Sequence, residues 1–262
     1  MITVNVRVIR GRSYLSYRVR PSTRNVDKFR PRFYWCLACK VLGKMADAPK
    51  TEQMPENTQV KSKKRVADHG EVFTNPREVN AMLDLVKDET LRIDSRFLEP
   101  ACGDGNFLIE ILRRKMSVVG QRYTGAEWKK YALQTVASIY GIELLPDNAE
   151  QCRQRLYDFV VETCHGASLQ QTDEFLQNVR YLLQRNIVQG DALTYTAADG
   201  KPIVFSEWTF VGDKVQRRDF QFDFLVKKEH QYSLFDENGD AQQFDEPVRE
   251  FPLVHYTKIH TL

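Results

Sequence analysis

From about Asp68 onward, short unbroken apolar runs alternate with stretches whose apolar residues recur every three or four positions. Val79, Met82, Leu83 and Val86 predict a helix with one buried face. Thr74 is its expected cap, Pro76 suits the first turn, and Glu78 puts an acid near the positive helix end. Phe97 and Leu98 predict a short strand that ends in Glu99. A small-residue turn with two glycines follows, and Phe107, Leu108, Ile109, Ile111 and Leu112 then open a helix reaching about Lys115. Trp128, Tyr131, Ala132, Val136 and Ile139 repeat the helical spacing, and Ile139-Tyr-Gly-Ile-Glu-Leu-Leu145 predicts a second strand with its acid near the carboxyl end. Pro146, Asp147 and Asn148 start a further helix (Ala149 to about Cys164), and Asn186-Ile-Val-Gln-Gly-Asp-Ala-Leu193 predicts a third strand. Phe222-Asp-Phe-Leu-Val226 is the expected fourth strand, and residues 251–259 a closing one. Strands alternating with helices predict an α/β fold around a parallel sheet.

The chain before Asp68 reads differently. Residues 1–44 are strongly basic, with Asp27 the only acid, and Ile2 to Ile9 alternate like a strand for which no hairpin partner is evident. Three readings stay open for this extension: a basic arm for phosphates, an Arg-rich transit peptide, or residues that are not native, with Met45 or Met54 the natural start. Cys36-Leu-Ala-Cys39 has half the spacing of a zinc site with no second CxxC, so no metal is expected. Residues 45–67 form a polar leader ending in Lys61-Ser-Lys-Lys-Arg65, either a flexible segment or a basic cluster facing DNA phosphates. Residues 68–232 make up the organised domain, and residues 233–262 an acidic arm with a closing segment.

Composition narrows the function only a little. With 42% apolar residues the chain can bury a core, while a net charge of +3 is too small to identify a nucleic-acid binder. Five irregularly spaced cysteines fit reduced thiols in a cytoplasm. No apolar run approaches the roughly 18 residues of a membrane span, so no membrane partner is expected.

The acids and glycines carry the chemistry. A strand, a Gly-x-Gly loop and a helix start bring backbone close to a nucleotide-like ligand. In open α/β sheets ligands bind at the carboxyl ends of strands. There Glu143 is placed to accept both hydroxyls of a ribose, and Asp191 a hydrogen bond from an adenine amino group, with Ala192 and Leu193 near the ring. Gly103 and Glu143 are about 40 residues apart, twice the simple dinucleotide spacing, which an inserted helix accounts for.

Gly70-Glu-Val-Phe-Thr74 followed by Glu99-Pro-Ala-Cys-Gly-Asp-Gly-Asn-Phe-Leu108 resembles the adenine-N6 DNA methyltransferases of restriction-modification systems, particularly type I modification subunits. The resemblance spans about residues 61 to 226. It implies a Rossmann-like methyltransferase sheet and S-adenosylmethionine as cofactor. It assigns Phe73 and Thr74 to the methionine end, and Glu99, Ala101, Gly103 and Gly105 to the loop beneath it. Tyr140-Gly-Ile-Glu-Leu144 and Gly190-Asp191-Ala192 resemble the next two motifs, which puts Glu143 on the ribose and Asp191 and Ala192 at the adenine. DNA is the implied partner, with a specificity subunit or second methyltransferase subunit beside it.

One departure from the family bears on catalysis. The family presents its flipped-out adenine with an Asn-Pro-Pro-Tyr motif after the fourth strand, whereas Lys227-Lys-Glu-His-Gln-Tyr232 follows here and no Pro-Pro occurs. Glu229, His230 and Tyr232 form either a polar loop or groups for another methyl acceptor. The catalytic residues are therefore unassigned. Only 36 residues follow Val226, so the sheet is expected to be incomplete at that end, without a target-recognition domain. Trp208, Phe210, Phe220, Phe222 and Phe224, interleaved with Arg217, Arg218, Lys227 and Lys228, form either a base-stacking platform or a half-buried wall. Two functions follow: adenine-N6 methylation of DNA, or a non-catalytic S-adenosylmethionine-binding subunit or sensor in a DNA-modification complex.

Overall fold

A computed structural model describes residues 2–9, 12–19, 33–35, 61–69, 71, 73–167, 169, 172–223 and 247–262. In chain order the elements are β1 (Ile2–Ile9), β2 (Arg12–Val19), β3 (Phe33–Trp35), α1 (Lys63–His69), α2 (Pro76–Asp84), α3 (Lys87–Thr90) and β4 (Arg96–Glu99). They continue with α4 (Asn106–Arg122), α5 (Gly125–Ala137), β5 (Ile139–Glu143), α6 (Pro146–Gly166), α7 (Asp173–Asn186) and β6 (Ile187–Asp191). The described chain closes with β7 (Thr196–Ala197), β8 (Val204–Val211), β9 (Lys214–Gln221), β10 (Arg249–Glu250), β11 (Val254–His255) and a 3-10 turn over Tyr256–Thr261.

The architecture is mixed α/β. The central sheet has the order β3-β4-β5-β6-β7, parallel through β6, with β7 antiparallel at its edge. A second sheet pairs β9 with β8, β10 and β11, all antiparallel. β1 and β2 form an antiparallel hairpin, so the Ile2 strand does have a partner. β3, from within the basic extension, lies parallel to β4, and the extension therefore contributes to the central sheet. Cys36 and Cys39 lie outside the described residues.

The two faces of the central sheet are covered differently. Successive residues of a strand face opposite sides. On one side of β5, Leu108 of α4 lies 3.0 Å from where a Cβ on Gly141 would sit. On the other, the Tyr140 ring meets Phe205 of β8 edge-on at 5.5 Å, and its hydroxyl donates to the Ser206 carbonyl. Helices thus pack one face and the β8–β9 ribbon the other. Phe205, Trp208 and Phe222 are buried core, and Arg217 is buried in an ion pair with Asp219 at 2.7 Å. The described part of the aromatic stretch is therefore chiefly a packed wall. Phe224, Lys227 and Lys228 fall outside the described residues.

Most expected elements form, with shifted ends. Asn75, not Thr74, caps α2, its side chain accepting from the Arg77 amide at 2.9 Å, with Pro76 in the first turn. Val79, Met82 and Leu83 are buried as their spacing predicts. Phe222 and Asp223 turn helical after β9 instead of opening a fourth strand, and residues 224–226 are not described. α4 runs seven residues past Lys115 because that lysine is not at a solvated end. It is fully buried, donating to the Ser95 carbonyl and at 2.7 Å to the Ser138 hydroxyl, with the Phe97 ring centroid 5.0 Å away.

Burial pushes the Lys115 amine down to about 7, against the attraction of Asp94 and Glu89. Between that value and the ordinary lysine range the unfolded chain holds a proton that the native state lacks, so this group makes stability rise with pH. Above roughly pH 8.5 the trend is opposed, because Cys102 and Tyr140 are both pushed up in the native state, Cys102 first by its contact with Cys152 and Tyr140 by burial. Denaturant unfolding from pH 7 to 8.5 is therefore expected to show increasing stability, and Lys115→Met to flatten that slope.

Candidate functional site

The carboxyl ends of β4, β5 and β6 share one edge of the sheet, and the expected site residues gather there. The loop after β4 is shaped by its two glycines. Gly103 has φ +54° and Gly105 φ +94°, left-handed values that L side chains rarely adopt. A Cβ on Gly103 would lie 3.2 Å from the Phe73 ring, and one on Gly105 2.8 Å from Cys152 Sγ. Close packing within the protein thus requires both glycines, independently of any ligand. The loop is tied at three further points. The Cys102 amide donates to the Ile142 carbonyl at 2.9 Å, Arg155 of α6 binds the Asp104 carboxylate at 2.7 Å, and the Asn106 side chain donates to the Thr74 carbonyl at 3.3 Å.

Glu143 closes the loop onto β5. The residue is 8% exposed, and its carboxylate accepts from the Gly103 amide at 2.8 Å and the Leu145 amide at 3.0 Å. Each oxygen keeps acceptor capacity beyond one bond. Asp191 is half-buried at the end of β6, one strand over, and accepts from the Leu193 amide at 2.8 Å. Leu144, one residue after Glu143, and Leu193, two residues after Asp191, are 55% and 57% exposed. Two acids and two exposed leucines on adjacent strand ends suit a ligand with hydroxyls and a flat apolar ring. These residues fit a nucleoside.

The remaining expected residues take different places. Phe73 and Thr74 are half-buried in the turn before α2, against the glycine loop. Glu99 is buried at the end of β4, Ala101 is exposed in the turn, and Ala192 packs partly against the core. Direct contacts thus link Phe73, Gly103 and Glu143 in series. Asp191 stands on the neighbouring strand, where the register pairs Glu143 with Gln189.

A charged network at this edge was not expected. Arg65 of α1 grips Glu71 with two bonds (2.6 and 2.8 Å) and Asp147 at the start of α6 at 2.8 Å. Asn148, 1% exposed, donates to Glu71 at 2.6 Å and to Glu143 at 3.5 Å, while its oxygen accepts from Lys61 at 2.6 Å. The Lys61 ammonium also stands 5.8 Å from the Phe73 ring centroid. Bonding to Arg65 holds the Glu71 and Asp147 carboxyls below the usual carboxylate range, and raises the Arg65 guanidinium further. Two members of the basic cluster, Lys61 and Arg65, are therefore paired with acids. The only local signal was Arg65 six residues before Glu71, since Asp147 and Asn148 lie more than 80 residues on.

Among the described residues no group of His, Cys, Asp and Glu could hold a metal, and no helix is long and apolar enough to cross a membrane. Glu229, His230 and Tyr232 lie outside the described residues.

Replacing Gly105 by Ala combines a left-handed L residue with a clash into the core, at a cost of roughly 2–4 kcal/mol. Chemical denaturation should show that loss. In a Cys152→Ala background the loss should be smaller, because the clash is relieved while the backbone strain remains. Comparison with known proteins returns no match, whether against family models, curated proteins or solved structures.

Proposed function

We propose that the chain binds S-adenosylmethionine across the carboxyl ends of β4, β5 and β6, in a Rossmann-like methyltransferase sheet. Its proposed role is adenine-N6 methylation of DNA within a restriction-modification or related defence system, in the cytoplasm. DNA and a specificity or second methyltransferase subunit are the proposed partners. The observation that carries the reading is the bond from the Gly103 amide to Glu143. It joins the glycine loop, the acid-ended second strand and, through Phe73 on Gly103, the Phe-Thr turn, the three features on which the family resemblance rests.

In this reading Glu143 accepts the ribose hydroxyls, Asp191 the adenine amino group, and Leu144 and Leu193 flank the ring. Phe73 and Thr74 border the methionine end. The cofactor supplies an electrophilic methyl group, and the chain's own residues bind and orient it.

A second reading is favoured by the absence of Pro-Pro anywhere in the chain. Without that motif the protein is a binding subunit or sensor, and any transfer occurs on a partner. The two readings separate on labelled cofactor and unmethylated DNA, with and without neighbouring gene products. Transfer in any combination supports the enzyme; binding without transfer in every combination supports the sensor.

Both readings share a prediction. Bonds to a charged group contribute about 1.5–3 kcal/mol, so Glu143→Ala should weaken cofactor binding by one to two orders of magnitude in calorimetry. Glu143→Gln keeps one acceptor oxygen and should fall between. Absence of measurable binding by the unaltered protein would overturn both.

A further inference from the structure

We propose that Arg65 is the latch of a strap over the carboxyl edge around Glu143, so that Arg65 sets how long a bound nucleoside stays. The identity of the ligand rests on the preceding reading; the latch itself rests on geometry. Glu71 stands two residues before Phe73, and Asp147 four residues after Glu143. A single guanidinium holds both, with its Nε and Nη2 on Glu71 and its Nη1 and Nη2 on Asp147. Lys61 adds a second crossing, reaching Asn148 and Asp147 while its ammonium stands over Phe73. Asn148 carries the connection inward, since its amide nitrogen reaches both Glu71 and Glu143.

The way the strap is held is what lets it open. Among the described residues, α1 places no side chain in the apolar core, whereas α2, directly after it, buries three. Charge pairs attach it, and the outer ones are open to water, with side-chain exposures of 27% for Arg65, 29% for Lys61 and 50% for Asp147. Such pairs are individually weak and are screened by salt. The inner partner, Glu71, has a side chain only 7% exposed, which gives the latch a fixed seat beside the Phe-Thr turn. A segment held by charge pairs opens at lower cost than the sheet behind it. Guanidinium suits the task because its planar fork engages two carboxylates at once, which an ammonium cannot do with the same geometry.

The test measures association and dissociation rates of S-adenosylmethionine and S-adenosylhomocysteine on the full chain, for the unaltered protein, Arg65→Ala and Arg65→Lys. Losing a charged tie acts mainly on dissociation. Arg65→Ala should release either probe about tenfold faster, with association unchanged or faster, and Arg65→Lys should fall between. High salt should speed release from the unaltered protein and have little further effect on Arg65→Ala. Unchanged dissociation, or an effect confined to slower association, would overturn the latch.

Amide hydrogen exchange tests the latch without any ligand. Arg65→Ala should raise exchange at residues 71, 73 and 74 and over residues 145–149 together, while β4, β5 and β6 stay protected. Unaltered exchange at both segments would sink the proposal. If neither probe binds the unaltered protein, the cofactor reading fails and the exchange result still decides the latch. Should Arg65→Ala not fold, Glu71→Gln, which weakens the inner seat, is expected to show the same paired rise.

Discussion

The arrangement at the sheet's carboxyl edge depends on one buried carboxylate. Glu143 is nearly sealed from water, and a charge in that position must be matched by donors. Two backbone amides supply them, one from the loop after β4 and one from the chain entering α6. The consequence is mechanical as well as electrostatic. The loop can sit against β5 only if Gly103 turns its amide inward, and the left-handed backbone that does so leaves space for the Phe73 ring. Arg155 then holds the far side of the loop through Asp104. The edge is shaped by the protein's own bonds, so a ligand arriving there would not have to order it.

The topology places this edge where open α/β sheets bind ligands. The chain leaves β4 toward β5 and then β6 on one side, while β3, from far earlier in the sequence, lies on the other. The order β3-β4-β5-β6-β7 follows the sequence without a reversal, and the parallel strands β4, β5 and β6 bring their carboxyl ends together beside the glycine loop. The far face of the sheet is built in an unusual way, with the antiparallel ribbon of β8 and β9 standing where a doubly wound fold has helices. The ribbon is fixed by buried polar nodes as well as apolar contacts. Asn186 donates to the Ala137 and Ile139 carbonyls and accepts from the Trp208 indole, joining the ends of α5 and α7 and the middle of β8 to the start of β5. Arg96 and Arg218 meet on Glu207, joining β4 to both strands of the ribbon.

Local rules carried the sequence reading where structure is local. The stripe of Val79, Met82 and Leu83, the runs that became β4, β5 and β6, and the acids ending those strands all follow from periodicity and turn chemistry. The reading failed where distant partners decide. Lys115 marks a helix end by polarity alone, yet the Ser95 carbonyl and Ser138 hydroxyl allow it inside. α7 has helical spacing at Phe175, Val179, Leu182 and Leu183, but Asn178 and Asn186 interrupt its stripe and are buried because they bridge other segments. The basic cluster at Lys61 and Arg65 leaves a flexible segment or a phosphate contact open, because nothing nearby in sequence reveals Asp147 and Asn148. The ribbon's aromatics leave a stacking platform or a half-buried wall open, and packing against Tyr140 and Asn186 decides for the wall.

Binding a methyl donor and transferring its methyl group draw on separable contacts. In the proposed reading, everything gathered around Glu143 would recognise groups that do not change during transfer: hydroxyls, a ring, an amino group. Uniform binding of that kind raises affinity without lowering the chemical barrier, since only contacts stronger in the transition state accelerate the step. On that reading the described edge of β4 to β6 is a ground-state site. A transferase built on it must draw its transition-state contacts from elsewhere, either from the chain following Asp223 or from a partner that brings the acceptor base already extruded. The proposed strap bears on both cases, because an edge tied by Arg65 would hold the donor for longer while an acceptor is brought into place. Retention of the donor and presentation of the acceptor can thus be supplied by different parts of an assembly, and the residues around Glu143 and Arg65 are suited to the first.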